Sequence, residues 1–443
     1  EFLIAGGVPG DLLASLRAVR RVTPAALAVK LGARGCCFIA GEIPARLEDA
    51  PTAQGERVEV LNVLGAGDAF AAGLMTGLLR GEDFFGAARI ANACGAIVVS
   101  RHACAPAMPT PAELAHWFGG TRNPKVDADQ ALAHLHRVTG PRPAWPELNV
   151  MAFDHRSQFL ELAREAGADA ARLPRLKRLL LDAAERVEAS HGLAGTVGVL
   201  VDSRLGEDAL HAATGRGWWV GRPVELPGSR PLRFDGTRSI GTALAGWPRE
   251  QVVKCLVHYH PDDAVELRLE QEARVLELWE ATRASGNELL LEVITPRGVA
   301  GADGRVVEAD EAVLRAIRRF YNLGVKPEWW KLAPMSEDGW SALAGLVAAR
   351  DPQCRGAVIL GLSQPLEVLA RGFAQARHPI VKGFMVGRTL WAEPSLRWLR
   401  GDIDDARLVD EAARNFATLV EAWRVSRCGA GTPGTPVNLR VAA

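Results

Sequence analysis

From residue 147 onward, short apolar runs alternate with longer stretches in which apolar residues recur every three or four positions. The first kind predicts buried strands and the second predicts helices with one buried face. The strand-like runs are NVMAF (149–153), VGVLV (197–201), WWVG (218–221), VVKCLVH (252–258), LLLEVI (289–294), EWWKLA (328–333), AVILG (357–361) and VKGFMVG (381–387). Helical patterns such as RLEQEARVLELWEATRASG separate most of them, and WWVG carries the weakest strand pattern of the set. Eight strands alternating with helices predict a (β/α)8 TIM barrel, a fold of about 250 residues.

Residues 1–118 have the same texture in shorter pieces. AALAVKLG, GCCFIA and AIVVS alternate with GDAFAAGLMTGLLRG, which predicts a separate α/β domain. Residues 119–146 carry the Gly, Pro and charge of a linker with room for one helix. The barrel is then expected over 147–428, and GAGTPGTPVNLRVAA (429–443) reads as a flexible tail. The chain opens with EFLIAGG rather than Met, so the expectation is that an upstream portion is missing.

Composition narrows the classes. A length of 443 residues suits two or three domains, and 48% hydrophobic with 23% charged residues is a globular profile. Basic and acidic residues both total 52, which argues against a nucleic-acid or membrane-surface partner. No apolar run is long enough to span a bilayer. Seven scattered cysteines without a CxxC pair fit a reduced, cytoplasmic protein and exclude a zinc ribbon.

Two stretches carry candidate chemistry. In VLNVLGAGDAF, Gly65, Ala66, Gly67 and Asp68 close an apolar run and open a helical one. Small residues there let backbone N–H groups approach a phosphate at a helix N-terminus, and an adjacent aspartate can take a proton from an attacking hydroxyl. A turn with an N-capping aspartate is the plain alternative. No P-loop motif occurs.

The second set lies along the barrel strands. Asp154 and Arg156 follow the first strand, and Asp202, a candidate substrate-binding group, follows the second. Lys254 lies within the fourth, Glu292 within the fifth and Lys331 within the sixth. Ser363 follows the seventh, and Gly387 with Arg388 closes the eighth. Lys331, in EWWKLAPM, reads alone as a lysine whose stem packs on Trp329 or Trp330 while its head stays wet. Charged groups inside inward-facing strands are harder to dismiss, because barrel interiors are normally filled with branched apolar side chains. Two buried lysines near one another favour one uncharged amine, able to attack a ketone and form a Schiff base. Glu292 and Asp154 then shuttle protons or hold the second lysine charged, and the tryptophans are expected to wall the amine from water.

The first motif, with VKLGARG (29–35) before it, resembles the C-terminal half of the ribokinase-like PfkB sugar kinases. NVLGAGDAF followed by ANACGAIVVSRHACAPAMPT resembles the 5-dehydro-2-deoxygluconokinase branch, including Asn62-Val63 where the wider family has Asp-Thr. That resemblance implies Asp68 as base, Gly65, Ala66, Gly67, Gly32 and Asn92 around the nucleotide and phosphate, and ATP with Mg2+. It covers only about 115 residues, with the sugar-holding half and lid absent, so a truncated, inactive kinase portion is expected. The strand motifs AFDHR, VVKCLVHYHPDD, LLLEVIT, WWKLAPM and GRTLW resemble class I tagatose 1,6-bisphosphate aldolases. This implies Lys331 as Schiff-base lysine and Lys254 as second lysine. Glu292, Asp154 and Arg156 become active-site polar groups, with Ser363 and Arg388 at the phosphate. KLAPM departs from the more β-branched continuation of that family.

The order of the two parts resembles bifunctional 5-dehydro-2-deoxygluconokinase/5-dehydro-2-deoxyphosphogluconate aldolase proteins. It implies a sugar-phosphate substrate and no cofactor for the barrel; a homo-oligomer is left open. Two rivals stand beside it. His258 and His260 with Asp262 and Asp263 suggest a metal-dependent aldolase or isomerase. A non-catalytic barrel that binds a sugar phosphate and regulates the kinase is the other.

Overall fold

A computed structural model describes residues 11–120, 122, 123, 125–301 and 304–428. The chain divides into two compact units, residues 1–142 and 143–443. The expected tail at 429–443 and the opening EFLIAGG lie outside the described residues.

In the first unit, strands β1 (Leu27–Lys30), β2 (Cys36–Ile39) and β3 (Thr52–Ala53) form an antiparallel sheet in that order. The helices Ala66–Leu79 and Phe84–Val99 lie against each other through small residues. A Cβ at Gly77 would stand 2.5 Å from Ala87 Cα, and one at Gly73 would stand 2.8 Å from Ala91 Cα. Backbones approach this closely only where one partner lacks a side chain. Within the stretch read as a linker, Gln130–Thr139 is helical, and its Leu132 packs with Trp117 and Ile97 in one apolar cluster.

The second unit is a closed barrel of eight parallel strands, which establishes the α/β fold expected from the alternation of elements. They are β4 (Leu148–Ala152), β5 (Val197–Leu200), β6 (Trp219–Pro223), β7 (Gln251–His258), β8 (Leu289–Ile294), β9 (Trp329–Leu332), β10 (Gly356–Leu360) and β11 (Val381–Val386). The order runs β4 to β11 around the barrel and closes through β11 and β4. Alternate residues fill the interior, where Val150, Trp219, Val252, Leu290, Trp329 and Val358 form one apolar layer. Their outward neighbours, such as Val253, Leu291 and Trp330, join the larger core shared with the helices. The helix Asp405–Cys428 closes that core, with Trp423 edge-on to Phe373. Among the described residues, no helix is long and apolar enough to cross a membrane.

Candidate active site

The period of two along a strand decides what stands above the apolar layer. Two residues beyond Val252, Leu290 and Trp329, on the same face, come Lys254, Glu292 and Lys331. The register sets Glu292 opposite Lys331 on β9 and opposite Leu256 on β7. Glu292 accepts from both amines, at 3.0 Å from Lys254 Nζ and 3.1 Å from Lys331 Nζ. Lys254 Nζ also lies 3.2 Å from Asp154 and 2.8 Å from Glu225. Glu225 accepts in turn from Arg156 at 3.1 Å and from the Leu256 amide at 3.2 Å. Arg156 reaches Asp235 at 3.1 Å.

Every charge in this cluster is compensated, as burial demands. Burial alone would drive Lys254 toward its neutral form, but Asp154, Glu225 and Glu292 outweigh it and hold the amine well above the ordinary lysine range. For Glu292, burial favours the protonated acid, yet Lys254 and Lys331 hold it below its usual value. Asp154 is likewise held down, chiefly by Lys254 against burial. The second lysine is therefore a fixed cation, and the two amines meet through a shared carboxylate.

These groups line a cavity of about 290 Å³ at the C-terminal ends of the strands, the face that carries the active sites of such barrels. Asp154, Arg156, Lys254, Glu292, Lys331, Ser363, Gly387 and Arg388 all line it. Arg388 opens the helix Arg388–Arg400, whose N-terminus has no side-chain cap; the Leu390 N–H is taken by the Gly387 carbonyl at 2.7 Å, and the end of the helix still favours an anion. Leu362 and Ser363 at the rim both have positive φ, 45° and 58°, an uncommon backbone state that clusters at ligand-binding loops.

Asp202 does not join this set. Its carboxylate is taken by Lys177, which is fully buried, and by the Leu205 amide at 2.7 Å. A buried lysine on the helix Leu173–His191 requires that counter-charge, so the expected substrate ligand is a structural partner. Neither tryptophan of EWWKLAPM lines the cavity. Trp329 plugs the layer beneath Lys331, while Trp330 faces outward and donates to Tyr321 Oη at 2.9 Å. The groups found only in the structure are Glu225, Asp235 and His155. Glu225 and Asp235 sit in a Pro- and Gly-rich segment after β6 that reads as plain loop; an acid directly beyond a strand end was the available signal.

The histidine pair does not assemble a metal centre. His258 lines the cavity, but Asp262 is held by Arg315 at 2.6 and 2.9 Å and Asp263 by Arg230. Among the described residues, no three His, Cys, Asp or Glu side chains are placed to share a metal ion.

In the first unit, Gly65 caps the helix Ala66–Leu79 with φ 84°, and no side chain caps its N–H groups. A Cβ at Gly67 would stand 2.9 Å from Lys30 Nζ, so a cation lies beside the turn. Asp68 is exposed in the first helical turn. A helix N-terminus without a side-chain cap beside a cation is a setting that favours an anion. Asn92 stands apart from it, donating to the carbonyls of Ala53 and Gln54 at 3.2 and 2.9 Å. Gly32 forms the turn between β1 and β2 with φ 60°.

Comparisons with known proteins divide the chain at a similar place. Residues 6–111 match the model of the pfkB family carbohydrate kinases. Residues 113–427 match a family described as uncharacterized protein conserved in bacteria (DUF2090). The 5-dehydro-2-deoxygluconokinases of Bacillus thuringiensis (strain Al Hakam) and Bacillus anthracis are each 41% identical over 58 residues, 13% of this chain. That stretch spans 18% of the length of those curated relatives. Among solved structures, a fructose-bisphosphate aldolase from Plasmodium falciparum is 11% identical with a TM-score of 0.47, covering 67% of this chain and 95% of that one. Cgl0159 from Corynebacterium glutamicum is 19% identical with a TM-score of 0.40, covering 70% and 98%.

Proposed function

The chain belongs to the bacterial family described as uncharacterized protein conserved in bacteria (DUF2090), and from that premise we propose that its barrel is a Schiff-base aldolase. The substrate in this reading is 2-deoxy-5-keto-gluconate 6-phosphate, cleaved to dihydroxyacetone phosphate and malonate semialdehyde. One observation carries it: two lysine amines on a single buried glutamate, Glu292, in a cavity with Arg388 at its rim.

Lys331 Nζ attacks the C5 ketone, and loss of water gives the imine. Lys254, held charged by three carboxylates, keeps positive potential on the forming oxyanion. Arg388 and the N–H groups of its helix receive the 6-phosphate, with Ser363 beside it. The protonated imine then withdraws the electron pair of the C3–C4 bond. A metal is not required for this sequence of steps, since the imine itself is the electron sink.

The segment matching the pfkB kinases supports a companion step. Asp68 would accept the proton of the sugar hydroxyl, while the Gly65–Gly67 turn holds the transferring phosphate of ATP, with Mg2+ supplying charge neutralisation when bound. The relatives named 5-dehydro-2-deoxygluconokinase favour a product with a 5-ketone and a 6-phosphate, the compound the barrel would consume.

Borohydride reduction with dihydroxyacetone phosphate tests the barrel reading. The expected result is a stable adduct on the peptide containing Lys331, absent in Lys331→Met. Cleavage of the sugar phosphate without any adduct, and with loss of activity in EDTA, would overturn it.

A further inference from the structure

The Schiff-base reading leaves one task unassigned: removal of the C3 hydroxyl proton as the C3–C4 bond breaks. Asp154 and Glu292 are the obvious bases, but each holds a lysine through one oxygen, Asp154 Oδ2 at 3.2 Å and Glu292 Oε2 at 3.0 and 3.1 Å, and a proton on the other oxygen would remove the charge that makes those pairs. Glu225 is committed to Lys254, Arg156 and a backbone amide. A carboxylate locked in ion pairs is a poor proton acceptor, because accepting the proton breaks those pairs.

His155 stands next to this cluster, and its Nδ1 makes no hydrogen bond to it. It lines the cavity, immediately after Asp154. Its ring is placed by shape, edge-on to Trp391 at 5.4 Å between centroids and against Gly387, where a Cβ would stand 2.6 Å from its Cε1. Nδ1 is buried without a hydrogen bond and faces Asp154 Oδ1 at 3.6 Å. The other oxygen of Asp154 holds Lys254 at 3.2 Å. Asp154 thus couples the charged amine to the imidazole, and it favours the tautomer with the proton on Nδ1. That leaves the lone pair on Nε2. Burial, with Lys331, Lys254 and Arg388 nearby, pushes the ring down to about 4 against the pull of Asp154, so the ring is neutral before cleavage; loss of the positive charge on the Lys331 imine as the enamine forms removes one of the cations that oppose its protonation.

We propose that His155, oriented by Asp154, is the general base of carbon–carbon cleavage in this cavity. This rests on the Schiff-base reading above. The C3 hydroxyl proton passes to Nε2, and the C3–O bond becomes the carbonyl of malonate semialdehyde. The C3–C4 electron pair moves through C4 to the imine nitrogen, which gives a neutral enamine on Lys331. The imidazolium returns its proton to C4, and water hydrolyses the imine to release dihydroxyacetone phosphate.

The test separates imine formation from cleavage, in the full chain. His155→Gln and His155→Asn are mixed with 2-deoxy-5-keto-gluconate 6-phosphate and reduced with borohydride. The expected result is adduct formation on Lys331 at the wild-type rate, carrying the mass of uncleaved substrate, with cleavage slowed about 10²–10⁴-fold. Exchange of the C3 proton of dihydroxyacetone phosphate with solvent should slow by a similar factor. Cleavage within a few-fold of wild type in both variants would overturn the proposal, as would loss of adduct formation at an unchanged melting temperature. Loss of cleavage in His258→Gln alone would move the role to that residue and overturn it too. Absence of any adduct in the wild-type protein would instead strike the Schiff-base reading.

Discussion

In the barrel, Lys254, Glu292 and Lys331 are 4%, 5% and 6% exposed and both amines bond Glu292, while in the first unit Asp68 and Lys30 stand exposed beside an open turn. The first set lines a cavity and the second borders a helix N-terminus, and the physics differs. The barrel interior excludes water, so each charge needs a partner and the partners fix one geometry. The exposed turn bonds mainly to itself, through Leu64 N–H to Asn62 Oδ1 and Ala66 N–H to the Val63 carbonyl, so little except the turn is organised in advance. Chemistry that depends on a buried, ion-paired amine belongs in the first environment. Phosphate binding by backbone amides needs only the second.

The largest break in that comparison is Lys331→Met. Glu292 keeps Lys254 as its partner, so the fold should persist while cleavage falls by about 10³-fold or more; steady-state rates and circular dichroism measure the two separately. Lys254→Met removes the shared counter-charge of Asp154, Glu225 and Glu292. Breaking a buried network from one side costs about 3–5 kcal/mol, readable as a lower urea midpoint.

The pH dependence of stability sharpens the same contrast. The His155 ring is lowered from its ordinary value of 6.5 to about 4, so the unfolded chain binds that proton first as pH falls. Stability is therefore lost as pH drops through the window from 6.5 to about 4. Asp154 and Glu292, held low in the folded state, add to the loss below the ordinary carboxylate range. Urea midpoints across this range should decline, and His155→Asn should flatten the upper part. The smallest effect is local to the first unit. Gly77→Ala forces a Cβ toward Ala87 at the tight helix pair, a cost of about 1–3 kcal/mol. Hydrogen exchange should rise over 66–99 while adduct formation on Lys331 stays unchanged.

All eight barrel strands were legible, WWVG included, because apolar runs bounded by turns persist whatever surrounds them. Lys254, Glu292 and Lys331 were legible for the opposite reason, as charged letters inside such runs. Asp202 was misread because a carboxylate at a strand end looks the same whether it faces a ligand or a buried Lys177. His155, Glu225 and Asp235 left almost no trace, since polar residues in loops are the expected background. Trp329 and Trp330 show the same limit at finer scale: adjacent letters on one strand face opposite sides, one into the barrel and one toward the helices.

The sequence by itself determined the periodicities, and through them the barrel, its strand order and the inward face of each strand, because side-chain alternation is a local property of the backbone. Tertiary structure decided which charges meet. Closure of the sheet brings Asp154, Lys254, Glu292 and Lys331 from four separate strand regions within hydrogen-bond reach. That depends on register, strand tilt and the loop after β6, which no single stretch of sequence encodes.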